Sequence, residues 1–341
     1  MASDSSQLGR ILWLASLPSS PPPEVIAWSG QPPKSAYFPA ENAGFELIEV
    51  NSLRSLQLIL DQPYLTTQIA FIPNLQPWHI AALLLYRNSL PFVIYYQNKW
   101  PDQFSYPKRI ATWFALKSSK LILLQDKIGI EQFSSILGDS KIVFFPWYVD
   151  DSFFAPSLCS KNDVSTEPLL FVPGDRNRLD SVVLEIAQRT NLKILRVSRH
   201  ISADVIQQFN EYPNIEVRHF IPWHELRHFY NISSVVLNVV DDRDTSAGMT
   251  TFLESLAMNA SVITPSGHSC AGYQFDNGFR PYSTIADPYD ANEWIDAIQK
   301  ILTKPKLWHS GYTPRDLFMS FSSTQSCTNR WIKIFNLVTK V

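Results

Sequence analysis

The chain has 341 residues, 45% of them hydrophobic, which is enough for two domains with proper cores. Its 29 basic and 31 acidic residues leave a net charge of −2, so a nucleic-acid partner, which requires a basic surface, has little support. Three scattered cysteines, with no Cys-x-x-Cys pair, argue against a disulfide framework and a structural zinc site and fit a reducing, cytoplasmic compartment.

Short apolar runs alternate with segments of helical period along the first half of the chain. The apolar runs are continuous, which is typical of parallel strands covered on both faces, and they predict a doubly wound domain over residues 1–154. The run 11–17 fits a first buried strand better than a signal-peptide core, because it is short and leads into prolines. The predicted strands are Ile11–Ala15, Phe45–Val50, Gln68–Pro73, Pro91–Gln97, Lys120–Gln125 and Lys141–Pro146. The predicted helices are Trp78–Asn88, Lys108–Ser118 and Ile130–Leu137.

The same alternation restarts after a polar, proline-bounded segment, residues 155–167, which indicates a linker. Residues 168–317 are therefore predicted to form a second α/β domain. Apolar residues at helical spacing predict a packed C-terminal helix over residues 318–341. The predicted strands of the second domain are Leu169–Val172, Leu192–Val197, Ile215–Phe220, Ser234–Val240 and Ser261–Thr264. Its predicted helices are Ser181–Thr190, Ala203–Tyr212, Trp223–Tyr230 and Thr250–Met258.

Residues 244–267 join a loop of small residues to a helix and then to a buried strand. Ligands of open parallel sheets collect beyond the carboxyl ends of the strands, where helix N-termini lie. Gly248 allows an anion to approach the backbone, and the first helical N–H groups with the hydroxyls of Thr250 and Thr251 favour a phosphate. Glu254 can accept two hydrogen bonds from the vicinal hydroxyls of a ribose. Diphosphate and ribose together predict a nucleotide.

A simpler interpretation of the same stretch is an ordinary helix, capped by a Ser or Thr side chain, with Glu254 as a solvated partner of the helix dipole. Both interpretations place the helix end at Asn259, a residue that can adopt the left-handed cap conformation.

Residues 250–267 read TTFLESLAMNASVITPSG and resemble the nucleotide-binding segment of GT-B glycosyltransferases, particularly the family 4 type, with its LLEAMAxGxPVIxT pattern. Further similar segments follow the family's order: FPWYVDDSFFAP, PNIEVRHFIPWHELRHFYNISSVVLNVV and FMSFSSTQSCTNRWIKIFNLV. The resemblance covers nearly the whole chain and is strongest after Leu169. It implies an α/β GT-B fold, with two Rossmann-like doubly wound domains facing a central cleft and a C-terminal helix crossing back to the first domain.

The resemblance also implies an activity, a hexosyltransferase-like transfer of sugar from a nucleotide diphosphate-sugar, with UDP or GDP as the nucleotide. It implies retention at the anomeric carbon and no metal or cofactor. The first domain is expected to shape the site of a glycan, lipid or small-molecule acceptor, with Ser29 and Gly30 in its loop. No apolar stretch reaches the roughly 20 residues of a membrane span, so membrane contact is expected to be peripheral at most. The donor-binding residues are predicted to be Arg176, Arg178, Gly248, Met249, Thr250, Thr251 and Glu254.

The chain departs from the family pattern at two places. The first glutamate of the E-x7-E signature is replaced by Ser246, and the Gly-Arg…Lys pair that grips the diphosphate is absent. Arg176 or Arg178 can offset diphosphate charge instead. The missing glutamate keeps open a transfer-inactive nucleotide-sugar-binding protein on the same scaffold, whereas an epimerase would require cleft acids and histidines that the sequence does not supply together.

No carboxylate nucleophile is evident, so the catalytic group stays unknown. His79 and His200 are candidates for proton transfer and for donor contact, although His79 also fits simple packing beside Trp78. Asp242 and Asp244 match the metal-binding Asp-x-Asp of single-sheet GT-A transferases. Because they stand deep in the second domain, a turning loop with local hydrogen bonds is the favoured interpretation, and no metal ligand is assigned.

Overall fold

The computed structural model describes residues 9–14, 34, 38–61, 68–97, 101–159, 167–219, 221–243, 246–303 and 311–339. They form two compact units. Unit 1 contains the described residues within 1–20, 35–148 and 324–341, and unit 2 those within 21–34 and 149–323. Ser29 and Gly30, the predicted acceptor-side loop, lie outside the described residues.

Unit 1 is built on a six-stranded parallel sheet with the order β2-β1-β3-β4-β5-β6. Its strands are β1 (Gly9–Trp13), β2 (Phe45–Glu49), β3 (Gln68–Ile72), β4 (Phe92–Tyr95), β5 (Leu121–Leu124) and β6 (Ile142–Phe144). The helices between them are α1 (Phe38–Asn42), α2 (Leu53–Leu60), α3 (Pro77–Tyr86), α4 (Tyr106–Ser118) and α5 (Lys127–Leu137).

Unit 2 is built on a second six-stranded sheet with the order β12-β11-β10-β7-β8-β9, and all of its neighbouring strands are parallel. Its strands are β7 (Leu169–Pro173), β8 (Lys193–Val197), β9 (Ile215–Arg218), β10 (Val235–Leu237), β11 (Val262–Pro265) and β12 (Ser283–Ile285). Its helices are α6 (Asp180–Arg189), α7 (Ala203–Phe209), α8 (Trp223–Ile232), α9 (Met249–Ala257), α10 (Ala291–Thr303) and α11 (Pro314–Phe321). Two separate parallel sheets differ from the single-sheet domain required by the metal-dependent GT-A alternative.

The C-terminal helix α12 (Thr324–Thr339) belongs to unit 1, as the resemblance implies. Its Trp331 ring lies 5.0 Å from the ring of Phe71 on β3, and its Phe335 ring lies 4.8 Å from that of Phe45 on β2. Both faces of the sheet are therefore covered, one by α2–α5 and the other by α12. This double coverage explains why the strands of unit 1 are continuous apolar runs.

The chain passes between the units close to the predicted boundaries, at Tyr148/Val149 and at Ser323/Thr324. Residues 149–154, which the sequence places in the first domain, are tied to unit 2 by hydrogen bonds. Arg315 donates to the carbonyl oxygens of Asp151 and Phe154, and the Val149 N–H donates to the Ser322 carbonyl oxygen. Residues 160–166 of the predicted linker lie outside the described part of the chain.

Asn259 ends helix α9 as predicted, with a φ of 56° in the left-handed region. Its side-chain oxygen also accepts a hydrogen bond from the Arg315 N–H at 3.3 Å. None of the helices in the described residues is both long and apolar enough to span a bilayer.

Candidate functional site

The candidate site lies in unit 2, where the carboxyl ends of β7, β10 and β11 meet the N-terminus of α9. Gly174 follows β7 directly, Asn238 follows β10, and Thr264 belongs to β11. Parallel strands place all three at the same edge of the sheet, which is where open α/β sheets bind ligands.

Arg178 connects two elements at this edge. Its Nη1 donates to Asn238 Oδ1 at 2.7 Å, and its Nη2 donates to Thr251 Oγ1, in the first turn of α9, at 2.8 Å. The guanidinium also packs on Gly174, whose φ is +111°, and a Cβ there would lie only 1.8 Å from Nη2. Only glycine therefore fits beneath this arginine.

Within the described part of the chain, the charge of Arg178 has no carboxylate in direct contact. The carboxylates of Asp175, Asp180 and Glu254 are nevertheless close enough to interact with it electrostatically. Its Nε is buried without a hydrogen-bond partner, and no carboxylate in the described residues forms an ion pair with it. Burial, followed by repulsion from Arg196, lowers the pKa of Arg178 to about 10. Because Arg178 is only partly buried and its two hydrogen bonds go to neutral groups, its charge remains available to an arriving anion.

Arg196, on β8, differs from Arg178 because it is 1% exposed and its charge is paired with a carboxylate. Its Nε pairs with Asp180 at 2.8 Å, and its Nη1 donates to the carbonyl oxygens of Gly174 and Val197 at 2.7 and 2.8 Å. These bonds hold the loop after β7 in place, which positions Gly174 beneath Arg178. Arg196 is therefore structural, whereas Arg178 retains capacity for a ligand.

The N-terminus of α9 lacks a side-chain cap. Its N-cap residue, Gly248, has a φ of +79°, and a Cβ there would lie 2.4 Å from Asn238 Oδ1. Asn238 in turn donates to Thr264 Oγ1 at 2.9 Å, which fixes it against β11. Because glycine has no side chain, the first helical N–H groups are not capped by a Ser or Thr side chain at this position. The interpretation as a side-chain-capped helix therefore does not hold. Such a terminus favours anions.

The other predicted residues of α9 differ in their surroundings. Thr250 is exposed, whereas Thr251 is buried and bound to Arg178. Met249 is 3% exposed, and its Sδ accepts a hydrogen bond from Tyr273, so its side chain belongs to the core of the unit. Its backbone N–H donates to the Ser246 carbonyl oxygen at 3.3 Å, so the N–H groups left for a ligand at this terminus are those of the following residues.

Glu254 lies one turn further along α9 and is only 7% exposed, so the solvated-residue interpretation does not hold for it. Tyr230, on α8, donates a hydrogen bond to its carboxylate at 2.7 Å. Burial raises the pKa of Glu254 to about 7, against the opposing effects of Tyr230 and Arg178. When ionised, Glu254 has one fixed hydrogen-bond donor, Tyr230, and its carboxylate oxygens can accept further hydrogen bonds.

Asp242 lies on the loop after β10, and its carboxylate is hydrogen-bonded to Ser269, which follows β11. Oδ2 accepts hydrogen bonds from the backbone N–H and the hydroxyl of Ser269, at 2.9 and 2.6 Å. Burial raises the pKa of Asp242. Asp244 lies outside the described residues, and those residues contain no group of three or more His, Cys, Asp or Glu arranged to hold a metal ion. The hydrogen bonds of Asp242 reach a residue 27 positions away, whereas the sequence led us to expect bonds within the loop itself.

The two remaining unit 2 candidates, Arg176 and His200, have exposed side chains. Arg176 lies in the loop between β7 and α6, two residues before Arg178. His200 follows β8, and its backbone N–H donates to Ser198 Oγ at 3.3 Å. The structure therefore brings Arg178, Thr251 and Gly248 together and leaves these two side chains in solvent.

His79, in unit 1, caps the start of α3. Its Nδ1 accepts a hydrogen bond from the Gln76 N–H at 2.8 Å, its ring lies 4.1 Å from that of Trp78, and its side chain is fully buried. Burial lowers the pKa of His79 to about 4. The contacts fit the packing interpretation, and proton transfer by His79 stays a prediction.

Acid should destabilise unit 1 through His79. Because the folded-state pKa is about 4 and the ordinary value 6.5, stability is complete above pH 6.5 and falls as the pH drops toward 4, by at most about 3 kcal/mol. His79→Gln keeps an acceptor for the Gln76 N–H and does not titrate. Thermal unfolding at neutral and acid pH should show a smaller acid loss for His79→Gln than for the unmodified protein. An equal loss in both proteins would assign the acid sensitivity to other groups.

Unit 1 contains an apolar cavity of about 40 Å³ at the carboxyl edge of its sheet. Aromatic side chains from three strand ends, Trp13, Phe71 and Tyr95, line it together with Trp147 and the α12 residue Trp331. The cavity was not predictable from the sequence, because its lining residues come from five separate segments.

Comparison with known proteins relates the chain to others through its structure. No protein-family model matches the chain, and no curated protein matches its sequence. A glycosyltransferase from Rickettsia africae superposes with a TM-score of 0.62 at 13% identity, covering 98% of this chain and 99% of that one. Anabaena HepE, solved with UDP-glucose, gives 0.65 at 9% identity, covering 96% and 99%. The chain has the GT-B fold.

The GT-B neighbours also include a putative UDP-N-acetylglucosamine 2-epimerase from Listeria monocytogenes. It superposes with a TM-score of 0.55 at 10% identity, covering 97% of this chain and 96% of that one. At such identities, the comparisons establish the fold and leave the chemistry to the site.

Three residues of the site were missed in the sequence: Tyr230, Asn238 and Arg196. Asn238 interrupts the apolar run VVLNVV, and Arg196 interrupts KILRV. A polar residue inside a buried strand requires a partner, so these interruptions were the available signal. Tyr230 gave no such signal, because a tyrosine at a helix end is common.

Proposed function

We propose that the protein is a glycosyltransferase that takes a sugar from a UDP-linked donor and transfers it to an acceptor hydroxyl, with retention and without a metal ion. The observation that carries the proposal is the charge of Arg178, which bonds only neutral groups and is held at the uncapped N-terminus of α9. A cation and a row of helical N–H groups at one sheet edge suit a diphosphate.

The chemistry follows from where charge develops. When the glycosidic bond to the donor breaks, negative charge grows on the leaving diphosphate. Arg178, the hydroxyl of Thr250 and the N–H groups of α9 would stabilise that charge in a preorganised way. Such stabilisation supplies the role that a divalent cation has in metal-dependent transfer, which supports the metal-independent proposal.

Glu254 would hold the ribose of the same donor. Its carboxylate has one donor, Tyr230, and can accept further hydrogen bonds from the two ribose hydroxyls. We choose UDP among the nucleotides because HepE was solved with UDP and with UDP-glucose.

Thermal unfolding with UDP, GDP and ADP and with their glucose conjugates tests this proposal. A ligand that binds the native state raises the melting temperature by mass action, and we expect the largest rise with UDP compounds. A transferase should also release some free glucose from UDP-glucose. If no nucleotide changes the melting temperature, the proposed function is wrong.

The same experiment separates the two alternatives. A nucleotide-sugar-binding protein without transfer activity, for which Ser246 is the argument, would give the thermal rise with no release of sugar. An epimerase, suggested by the Listeria structure, would convert UDP-N-acetylglucosamine into an isomer that proton NMR distinguishes. NMR of the anomeric proton of a transferred sugar would test retention.

A further inference from the structure

We propose that the aromatic cavity of unit 1 binds a narrow apolar group, such as an alkyl chain, and that the acceptor carries this group. The assignment to the acceptor rests on the proposed function, whereas the binding itself does not. The cavity is defined by the strand-end residues Trp13, Phe71 and Tyr95, by Trp147 after β6, and by Cys327 and Trp331 of α12.

The position of the cavity is that of a ligand site. Trp13 and Tyr95 are the last residues of β1 and β4, and Phe71 is the last but one of β3. All three point to the face covered by α12 and lie at the carboxyl edge of the sheet. Parallel sheets bind ligands at this edge.

The chemistry of the wall selects an apolar occupant. The wall is almost entirely apolar, and two tyrosine hydroxyls beside it already have partners in the protein. Tyr95 donates to Gln125 Oε1 at 3.0 Å, and the Tyr148 hydroxyl bonds to Thr324 Oγ1 at 3.3 Å. A sugar ring placed there would leave its hydroxyls without partners, which is unfavourable.

The rings around the cavity brace one another. Tyr95 and Trp147 are stacked, with centroids 5.7 Å apart and planes 16° apart. Trp331 meets Phe71 and Phe145 edge to face, at 5.0 and 5.3 Å. Large rings fixed by several neighbours cannot collapse easily into a void, so the space persists. Its 40 Å³ exceeds the roughly 10–15 Å³ required by one water and admits the narrow end of an alkyl chain.

Linear alcohols from ethanol to 1-octanol are the probes, with binding to the full chain measured by isothermal titration calorimetry. Affinity should rise about fourfold per methylene and level off once the cavity is filled. 1,6-Hexanediol should bind at least about tenfold more weakly than 1-hexanol, because its second hydroxyl enters the apolar end.

Cys327 provides a matched pair of variants, since it lines the cavity and is 1% exposed. Cys327→Met fills the space and should abolish binding of 1-hexanol, whereas Cys327→Ala leaves the space open and should retain it. Melting temperatures of both variants check their folding. If Cys327→Met fails to fold, the chain-length series on the unmodified protein decides the case.

Equal affinities along the alcohol series, equal binding of 1-hexanol and 1,6-hexanediol, or unchanged binding to a folded Cys327→Met would each overturn the inference. None of these measurements uses a nucleotide. Binding of UDP without binding of alcohols would therefore support the proposed function and contradict this inference. Binding of alcohols without binding of UDP would contradict the proposed function and support the cavity as an apolar binding site.

Discussion

Glu254→Gln should make the protein more stable at about pH 8 and, at the same time, poorer at binding UDP. Burial raises the pKa of Glu254 from 4.5 to about 7, so the fold favours the protonated acid. Its contribution to stability is complete below about pH 4.5 and is lost as the pH rises through 7. Glutamine keeps the shape and an acceptor for Tyr230 without ionising.

The size of the effect follows from the shift. The rise in the pKa of Glu254 from 4.5 to about 7 corresponds to about 3 kcal/mol, at 1.36 kcal/mol per pKa unit. This value is the upper limit of the gain in unfolding free energy that Glu254→Gln can give at alkaline pH. Thermal unfolding should therefore show a melting temperature several degrees higher for Glu254→Gln near pH 8 and little difference near pH 4.5. UDP affinity, measured by calorimetry at about pH 8, should fall about tenfold or more, because bonds from the ribose to a charged acceptor are lost.

Glu185→Gln is the matched control for this prediction. Glu185 lies on the exposed surface of α6 and pairs only with Arg189 one turn away, so its replacement should leave stability and UDP affinity nearly unchanged. A Glu254→Gln protein that binds UDP as tightly as the unmodified chain would contradict the ribose assignment. A gain in stability that is equal at both pH values would contradict the assigned titration.

Arg178→Lys should weaken UDP binding about tenfold or more although the charge is conserved. A lysine ammonium cannot bond Asn238 and Thr251 in the planar, two-armed geometry of the guanidinium, so the cation would no longer be fixed at the start of α9. The affinity is measured by calorimetry, with the melting temperature as the check on folding.

Arg176→Lys is the matched control, two residues upstream in the same loop and exposed. Its UDP affinity should change less than twofold, because an exposed lysine supplies nearly the same screened charge. A larger loss in Arg176→Lys than in Arg178→Lys would transfer the diphosphate role to Arg176, the other arginine that the sequence offered.

The fold was largely predictable because each strand is a continuous apolar run between helical segments. The strand predicted over Ser234–Val240 spans only Val235–Leu237, because the chain beyond it pairs with the loop before α6. The Leu179 N–H donates to the Val239 carbonyl oxygen, and Val240 forms an antiparallel bridge with Arg178.

Strand β12 and helices α1, α2 and α10 were not predicted; α1 and α2 are short, whereas α10 has 13 residues and an apolar face that was overlooked. The predicted C-terminal helix is divided near Ser322 into α11 and α12.

The site was predictable mainly in the part that is continuous in sequence. Gly248, Thr251 and Glu254 share one helix and its cap, so their spacing alone places them together. Arg178 was predicted together with Arg176, but its contact with Thr251, like that of Tyr230 with Glu254, arises from tertiary packing that no local pattern encodes. The burial of Glu254, and with it the titration expected near neutral pH, likewise required the structure.

A crystal structure with UDP-glucose bound tests the central claim most directly. The diphosphate should contact Arg178 and the N–H groups at the start of α9, with the ribose hydroxyls bonded to Glu254. A nucleotide bound elsewhere, with Arg178 and Glu254 keeping only their contacts to Asn238, Thr251 and Tyr230, would contradict the account.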